Sequence, residues 1–381
     1  MMRIAVPAET AAAETRVALV PRSIAQLVAA GATVDVQAGA GAAAGYSDAA
    51  YGEAGAGLAT DRNRLLGDAD LVTVVQRPAP ADLKQLKPGV VLVGLLDPGG
   101  DPQPLRLLTE QRATAFRLEA MPRISRAQDM DVLSSMATLA GYKAALLGAD
   151  RLPRLFPLLM TAAGTITPAR VLVLGAGVAG LQAIATCKRL GAVVEAYDVR
   201  PAVRDQVESL GARFVEVGIE SEEQQDAGGY AKELTEDAQR REQEVIGEHV
   251  RESDLVITTA FVPNKKAPVL ITKAMVDGMR HGSVVVDLAA PAGGNCEYTR
   301  PDEDVDVNGV TVLGPTNLPA TVPGQASQLY SHNVTRFIMQ ILKDGEIRLD
   351  FDDVVVAQTC MTHDGKAMGE QMSALLAGAA A

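Results

Sequence analysis

Apolar residues in this chain fall into short β-branched runs separated by stretches with helical spacing. In the first third, Arg3 to Val6, Thr33 to Gln37, Leu71 to Val75, Val90 to Leu95 and Thr114 to Leu118 read as strands. Ser23 to Ala30 and Pro102 to Gln111 read as helices between them. A run dense in polar groups covers 119–135, and a helix is expected from Val132 to about Leu147. Beyond it, strands are expected at Val171 to Leu174, Val193 to Tyr197, Arg213 to Val217, Leu255 to Thr258, Val284 to Asp287 and Val310 to Leu313. Arg204 to Leu210 has helical spacing, and Ser327 to Leu342 is a long amphipathic helix. Asp350 to Val356 reads as a strand before a short helical tail. The stretch 218–244 is charged and carries Gly228-Gly229-Tyr230, which argues for a mobile break.

One stretch carries chemistry. The strand at Val171 ends in Gly175-x-Gly177-x-x-Gly180, a helix-like segment follows, Gly191 closes it, and the next strand ends at Asp198. Each glycine has a physical reason. Gly175 permits the tight turn, Gly177 lets backbone approach a pyrophosphate, and Gly180 lets the helix pack closely on the strand. The unpaired N–H groups of the helix N-terminus favour phosphate. Asp198 stands roughly 20 residues on, where a carboxylate accepts from the adenosine ribose hydroxyls and repels a 2′-phosphate. The pattern predicts a dinucleotide site that prefers NAD(H) to NADP(H). Glycines interrupt the uncharged run from Val171 to Cys187, so it reads as strand–turn–helix, not as a membrane span.

The fold class expected is therefore α/β, with two Rossmann-like doubly wound domains. The NAD-binding domain spans 135–318. It is inserted between the two segments of the other, 1–134 and 319–381, because the C-terminal piece is too short to fold alone.

Composition narrows the partners. The 381 residues carry a net charge of −12, 35 glycines, 3% aromatics and no Trp. That argues against nucleic acid and against an anionic membrane surface. Cys187, Cys296 and Cys360 form no CxxC pair, and the four histidines have no metal-ligand spacing, so no metal site is expected. The start is too short for a signal-peptide core, and the apolar tail after Ser373 is too short to span a bilayer.

Six segments together resemble the NAD(H)-binding component of proton-translocating nicotinamide nucleotide transhydrogenase, over essentially the whole chain. They are Met121-Pro-Arg-Ile-Ser-Arg-Ala-Gln128, Leu139-Ala-Gly-Tyr142, Thr161-Ala-Ala-Gly164, Gly175-Ala-Gly-Val-Ala-Gly-Leu-Gln-Ala-Ile184, Gly228-Gly-Tyr-Ala-Lys232 and Gly293-Gly-Asn-Cys296. The resemblance implies direct hydride transfer between NAD(H) here and NADP(H) on a partner subunit, coupled to proton translocation by a membrane component. It implies that Arg123, Gln128, Asp131 and Ser134 hold the nicotinamide carboxamide and ribose. Besides the three glycines and Asp198, it implies cofactor contacts from Val178, Ala179, Val199 and Arg200. Further contacts would come from Gly229 and Tyr230 on a closing loop, and from Ala260 and Leu288. It also implies a homodimer, not itself membrane-spanning, cytoplasmic and peripheral at the inner face of the cell membrane through its partners. Phe261-Val-Pro-Asn-Lys-Lys266 departs from the Ile-Pro-Gly-Lys pattern of related chains.

Plainer roles exist for the same residues. Arg123 and Arg126 also read as a solvated basic turn, Tyr230 as an ordinary loop tyrosine, and Asp131 or Ser134 as a helix N-cap. Two other functions stay open: a self-sufficient alanine-dehydrogenase-like oxidoreductase and a NAD-sensing module. Alanine dehydrogenases, in the same superfamily, place a carboxylate-binding lysine after the strand at Leu71 and a catalytic histidine after the following one. Here those regions read Val75-Gln76-Arg77 and Gly94-Leu-Leu-Asp97, and no histidine precedes His249. Hydride transfer between two nicotinamide rings requires position and orientation rather than an acid or base.

Overall fold

A computed structural model describes residues 2–217, 236–260 and 266–378. It divides into two compact units, Met1–Met136 with Pro319–Ala381, and Ala137–Leu318.

The first unit is built on strands β1 (Arg3–Val6), β2 (Thr33–Gln37), β3 (Gly57–Ala59), β4 (Leu71–Gln76), β5 (Val91–Leu95) and β6 (Thr114–Arg117). They pair in parallel in the order β6-β5-β4-β1-β2-β3. Strand Cys360–His363 adds antiparallel to β6, so the C-terminal segment completes this sheet. β4 is buried along five of its six residues, which is why it reads as a continuous apolar run rather than an alternating one.

The second unit opens with an antiparallel hairpin, β7 (Leu159–Thr161) and β8 (Gly164–Ile166). Its sheet comprises β9 (Arg170–Leu174), β10 (Val193–Tyr197), β11 (Arg213–Phe214), β12 (Leu255–Thr258), β13 (Val284–Asp287), β14 (Asp304–Val307) and β15 (Val310–Leu313). The order is β11-β10-β9-β12-β13-β15-β14, parallel except for β14. Both faces are covered. Val171 and Val173 of β9 enter one apolar core with Ile257 and Val286, while Leu172 and Leu174 enter the other with Val256 and Val285. In each unit the order reverses beside the first strand, between β1 and β4 and between β9 and β12. That is where a doubly wound sheet opens a crevice at the carboxyl ends of its strands.

The chain is thus α/β, as its pattern predicts, with three local differences. The segment expected as strand 350–356 turns instead into a helix, Val354–Thr359. Asp353 caps it by accepting from the Val355 N–H at 2.8 Å, so one capping carboxylate outweighs the β-branched run Val354-Val-Val356. β11 keeps only two of the five residues expected for it. The helix from Val132 continues to Arg151, four residues past its expected end.

That helix is long and apolar enough by composition to cross a membrane. It has a packing role within the second unit: a Cβ on Gly141 would lie 2.0 Å from the Ala179 carbonyl oxygen, so glycine sets how closely it meets the helix Val178–Arg189.

Candidate dinucleotide site

The site expected from the glycine pattern forms at the carboxyl ends of β9, β10, β12 and β13. β9 runs into Gly175, whose φ of +98° is left-handed. The Gly175 N–H donates to the Tyr197 carbonyl at 2.8 Å, and its own carbonyl accepts from Thr259 Oγ1 at 3.0 Å. Helix Val178–Arg189 then starts from Gly177 with no side-chain cap. A Cβ on Gly180 would lie 1.9 Å from the Gly175 oxygen, so only glycine allows helix and turn to meet. A Cβ on Gly177, by contrast, would meet nothing within 4 Å. Packing does not require glycine there; the open side leaves backbone approachable from outside. Val178 at the helix start is likewise exposed. An uncapped helix N-terminus beside approachable backbone suits a pyrophosphate, so the residues fit the cofactor they suggest.

Asp198 follows β10 and is 8% exposed. Its carboxylate is held by four donors. Oδ2 accepts from the Ala176 N–H at 2.7 Å and from Arg200 Nη2 at 2.8 Å. Oδ1 accepts from the Arg200 N–H at 2.9 Å and from Nε at 2.8 Å. Those hydrogen bonds hold the Arg200 guanidinium above its ordinary pKa.

The far wall carries residues that sequence reasoning missed. Asp287, fully buried at the end of β13, accepts five hydrogen bonds. Thr258 Oγ1 donates at 2.8 Å and the Ala289 N–H at 2.9 Å, both to Oδ1. The Asn295 N–H at 2.7 Å, the Cys296 N–H at 3.1 Å and Thr299 Oγ1 at 2.6 Å donate to Oδ2. Asn295 in turn accepts from the Ala260 N–H at 3.1 Å and donates to the Ala260 carbonyl at 2.7 Å. The Leu288 N–H donates to the Thr258 carbonyl at 2.9 Å. Ala260 and Leu288, both expected as cofactor contacts, are thereby tied to one carboxylate. The Gly293-Gly-Asn-Cys296 run has its reason here. Gly294 has φ +84°, and a Cβ on it would lie 2.9 Å from Asp287 Oδ2. The only advance signal was that run itself, following an aspartate at a strand end.

Arg123, Gln128, Asp131 and Ser134 lie in the other unit. Arg123 and Gln128 are exposed. Asp131 has the capping geometry: Oδ1 accepts from the Ser134 N–H at 2.9 Å and Oδ2 from Ser134 Oγ at 2.6 Å. Arg126 forms a two-pronged pair with Asp353, at 2.9 and 2.7 Å. Gly229, Tyr230 and residues 261–265 fall outside the described residues, as does most of the stretch expected to be mobile.

The first unit has its own crevice, and polar side chains of the chain itself reach into it. Glu9 accepts from the Val75 and Gln76 N–H groups at 2.6 and 3.1 Å. Burial pushes its carboxyl up to about 7 against those hydrogen bonds. Nearby, Glu14 and Arg16 pair through two prongs, at 2.7 and 2.6 Å, with side chains 0% and 3% exposed. Burial also pushes the Glu14 carboxyl up, but the hydrogen bonds and charge of Arg16 outweigh it and hold it at about 2. Tyr330 closes the crevice, donating to the Val74 carbonyl at 2.7 Å.

A raised carboxyl binds its proton more tightly folded than unfolded. The Glu9 contribution is therefore most favourable below the unfolded value of 4.5 and is lost as pH rises through about 7. Glu9→Gln is expected to flatten the fall in stability between those values and to stabilise the chain above pH 7. The gain should be on the order of 1–2 kcal/mol, since the group is only part-buried. Thermal midpoints from pH 4.5 to 8 would show it; parallel curves for the two proteins would refute it.

Comparison with known proteins agrees with this geometry. Residues 5–140 match the alanine dehydrogenase/PNT N-terminal domain, and residues 144–370 match its C-terminal domain. The chain is 46% identical to an NAD(P) transhydrogenase subunit alpha chain of Rhodospirillum rubrum, over 96% of this chain and 97% of that one. It is 43% identical to NAD(P) transhydrogenase subunit alpha of Haemophilus influenzae, over 96% of this chain and 71% of that one. A solved transhydrogenase structure from Sinorhizobium meliloti superposes with a TM-score of 0.84 at 38% identity, covering 96% and 98% of the two chains. An L-alanine dehydrogenase structure superposes at 0.83 with 26% identity, covering 99% of each. The chain belongs to the alanine dehydrogenase/PNT family, as an oxidoreductase component of the NAD(P) transhydrogenase alpha-subunit type.

Proposed function

We propose that this chain binds NAD(H) on its second unit and exchanges hydride directly with NADP(H) held by a partner subunit. A membrane component of the same assembly couples that exchange to proton translocation. The observation that carries the reading is the turn at Gly175–Gly180. Its backbone is open on one side at Gly177, beside an uncapped helix start, with Asp198 tethered to the same turn through Ala176. The names of the relatives, which are subunits, support partner chains for this one as well. On this reading the protein is cytoplasmic and sits at the inner face of the cell membrane through those partners.

The bound nicotinamide supplies or accepts the hydride. The protein's part is to fix its ring in place. Arg123, Gln128, Asp131 and Ser134 are assigned to its carboxamide and ribose by their resemblance to the family motif. Asp198, Val199 and Arg200 serve the adenosine end, Val178 and Ala179 the phosphates, and Ala260 and Leu288 the opposite wall. Gly229 and Tyr230 are assigned to a loop closing over the cofactor. A homodimer is supported by the hairpin β7–β8, whose Leu159, Met160 and Ile166 are exposed, Met160 to 73%. An isolated two-stranded hairpin with apolar side chains in water is marginal on its own and is stabilised by a second chain.

The test is single-turnover hydride transfer between NADH bound here and an NADP⁺ analogue on the partner subunit. Transfer is expected only with the partner present. Arg123→Ala, Gln128→Asn and Asp131→Asn should each slow it far more than they weaken NADH binding. Asn still caps a helix, so a loss in Asp131→Asn reports on the ring and not on the fold. Normal rates in all three variants would remove these residues from the site.

A further inference from the structure

The Asp198 carboxylate, whose role rests on the NAD(H) reading above, has no acceptor position to spare. An ionised carboxylate offers about four lone-pair positions, and here four N–H groups take them. Two of the donors are backbone groups, Ala176 N–H and Arg200 N–H, fixed by the glycine turn and by the chain itself. The other two are the guanidinium fork of Arg200, on a side chain 18% exposed. Only the fork can leave. A fork of two parallel N–H groups and a vicinal diol of two O–H groups present the same thing to a carboxylate, two donors side by side. The Arg200 fork thus holds the positions at which an adenosine ribose would donate.

We propose that Arg200 is a built-in competitor for the cofactor, and that NAD(H) binds by exchanging its ribose diol for the Arg200 fork at Asp198. Two consequences follow from charge. Paired with Arg200, Asp198 presents no net negative charge to an arriving 2′-phosphate. A guanidinium freed from the carboxylate is itself a good phosphate ligand, through bidentate hydrogen bonds. Arg200 therefore lowers affinity for NAD(H) and narrows the preference over NADP(H) that a bare aspartate would impose. It sets specificity without touching the reacting ring.

The test is equilibrium binding of NADH, NADPH, 5′-AMP and 2′,5′-ADP to the full-length chain and to its Arg200→Ala and Arg200→Gln variants. The two adenosine fragments confine the readout to this end of the site. Both substitutions should tighten NADH and 5′-AMP roughly tenfold, the scale of one charge-assisted hydrogen bond exchanged. Both should weaken NADPH and 2′,5′-ADP, so the ratio widens in the same direction for cofactor and fragment. Gln keeps the side-chain stem, so agreement between the variants excludes a loss of packing. If both variants bind NADH tenfold more weakly with the ratio unchanged, Arg200 is an ordinary ligand and the proposal fails. Unchanged affinities throughout also overturn it. If the wild-type chain does not bind NADH, the NAD(H) reading itself fails, and that is distinguishable because it appears before any substitution is made.

Discussion

Replacing Asp287 with Ala is expected to release the whole wall between β12 and β13. The side chain is 0% exposed and serves five donors. Three of those are backbone N–H groups at residues 289, 295 and 296. Removing their acceptor leaves several buried donors unmatched, each at about 1–3 kcal/mol, with water reaching some of them. A loss of at least about 3 kcal/mol is expected in the second unit. Asp287→Asn should cost less, because one oxygen remains. Either orientation of its amide, however, turns an NH₂ toward donors that it cannot serve. A chain of two units has no single unfolding free energy, so hydrogen exchange at 288–299 is the proper measure. Those amides should exchange much faster in Asp287→Ala. NADH binding should weaken with them, because Ala260 is tied to Asp287 through Asn295. Unchanged exchange there, with an unchanged thermal midpoint, would show that this carboxylate stabilises nothing.

Asp287 also shows where the sequence stops being readable. Its strand was legible, since Val284-Val-Val286 buries on both sheet faces. Its role was not. The partners at Asn295, Cys296 and Thr299 lie in a stretch with no periodic pattern, and a hydrogen-bond hub between a strand end and a loop leaves no period to detect. The glycine turn was legible for the opposite reason. Gly175 and Gly180 are required by a left-handed φ and a 1.9 Å approach, and such constraints admit one residue type. Asp198 could be placed from spacing, but the occupancy of its acceptors by Arg200 could not. The hairpin β7–β8 escaped because three-residue strands with outward apolar side chains match neither a buried strand nor a helix. The strand expected at 350–356 failed because a tertiary ion pair and a cap act on the same residue. Arg126 and the Val355 N–H both draw on Asp353 and fix a helix start in a sequence of good strand formers.

Neither reduction of NAD⁺ with alanine nor oxidation of NADH with pyruvate and ammonia is expected. Amino-acid oxidation needs a cation for the carboxylate and a base for the proton, and the first unit provides neither in usable form. Arg16 is committed: its fork is paired with Glu14, both side chains are out of water, and Gln76 Nε2 donates to the same carboxylate at 3.1 Å. Gln76 itself stands where alanine dehydrogenases place a carboxylate-binding lysine, and it carries no charge. The stretch after β5, which would bring a histidine, presents Leu96, whose N–H donates to Glu119 at 3.1 Å. The two histidines of this unit do not replace it. His332 is exposed on the helix Pro323–Ile341. His363 meets Thr114 Oγ1 at 3.0 Å, at the first residue of β6. That is the amino end of a parallel strand, whereas the crevice opens at the carboxyl ends. A positioned acid–base group is worth about 10²–10⁴ in rate, so residual activity should lie at least that far below ordinary dehydrogenase turnover of roughly 1–10³ per second. Adding the NADP(H)-binding subunit with NADPH should, in the same cuvette, start reduction of NAD⁺ or an analogue. Alanine-dependent NADH formation at ordinary rates by the chain alone would make it a self-sufficient dehydrogenase.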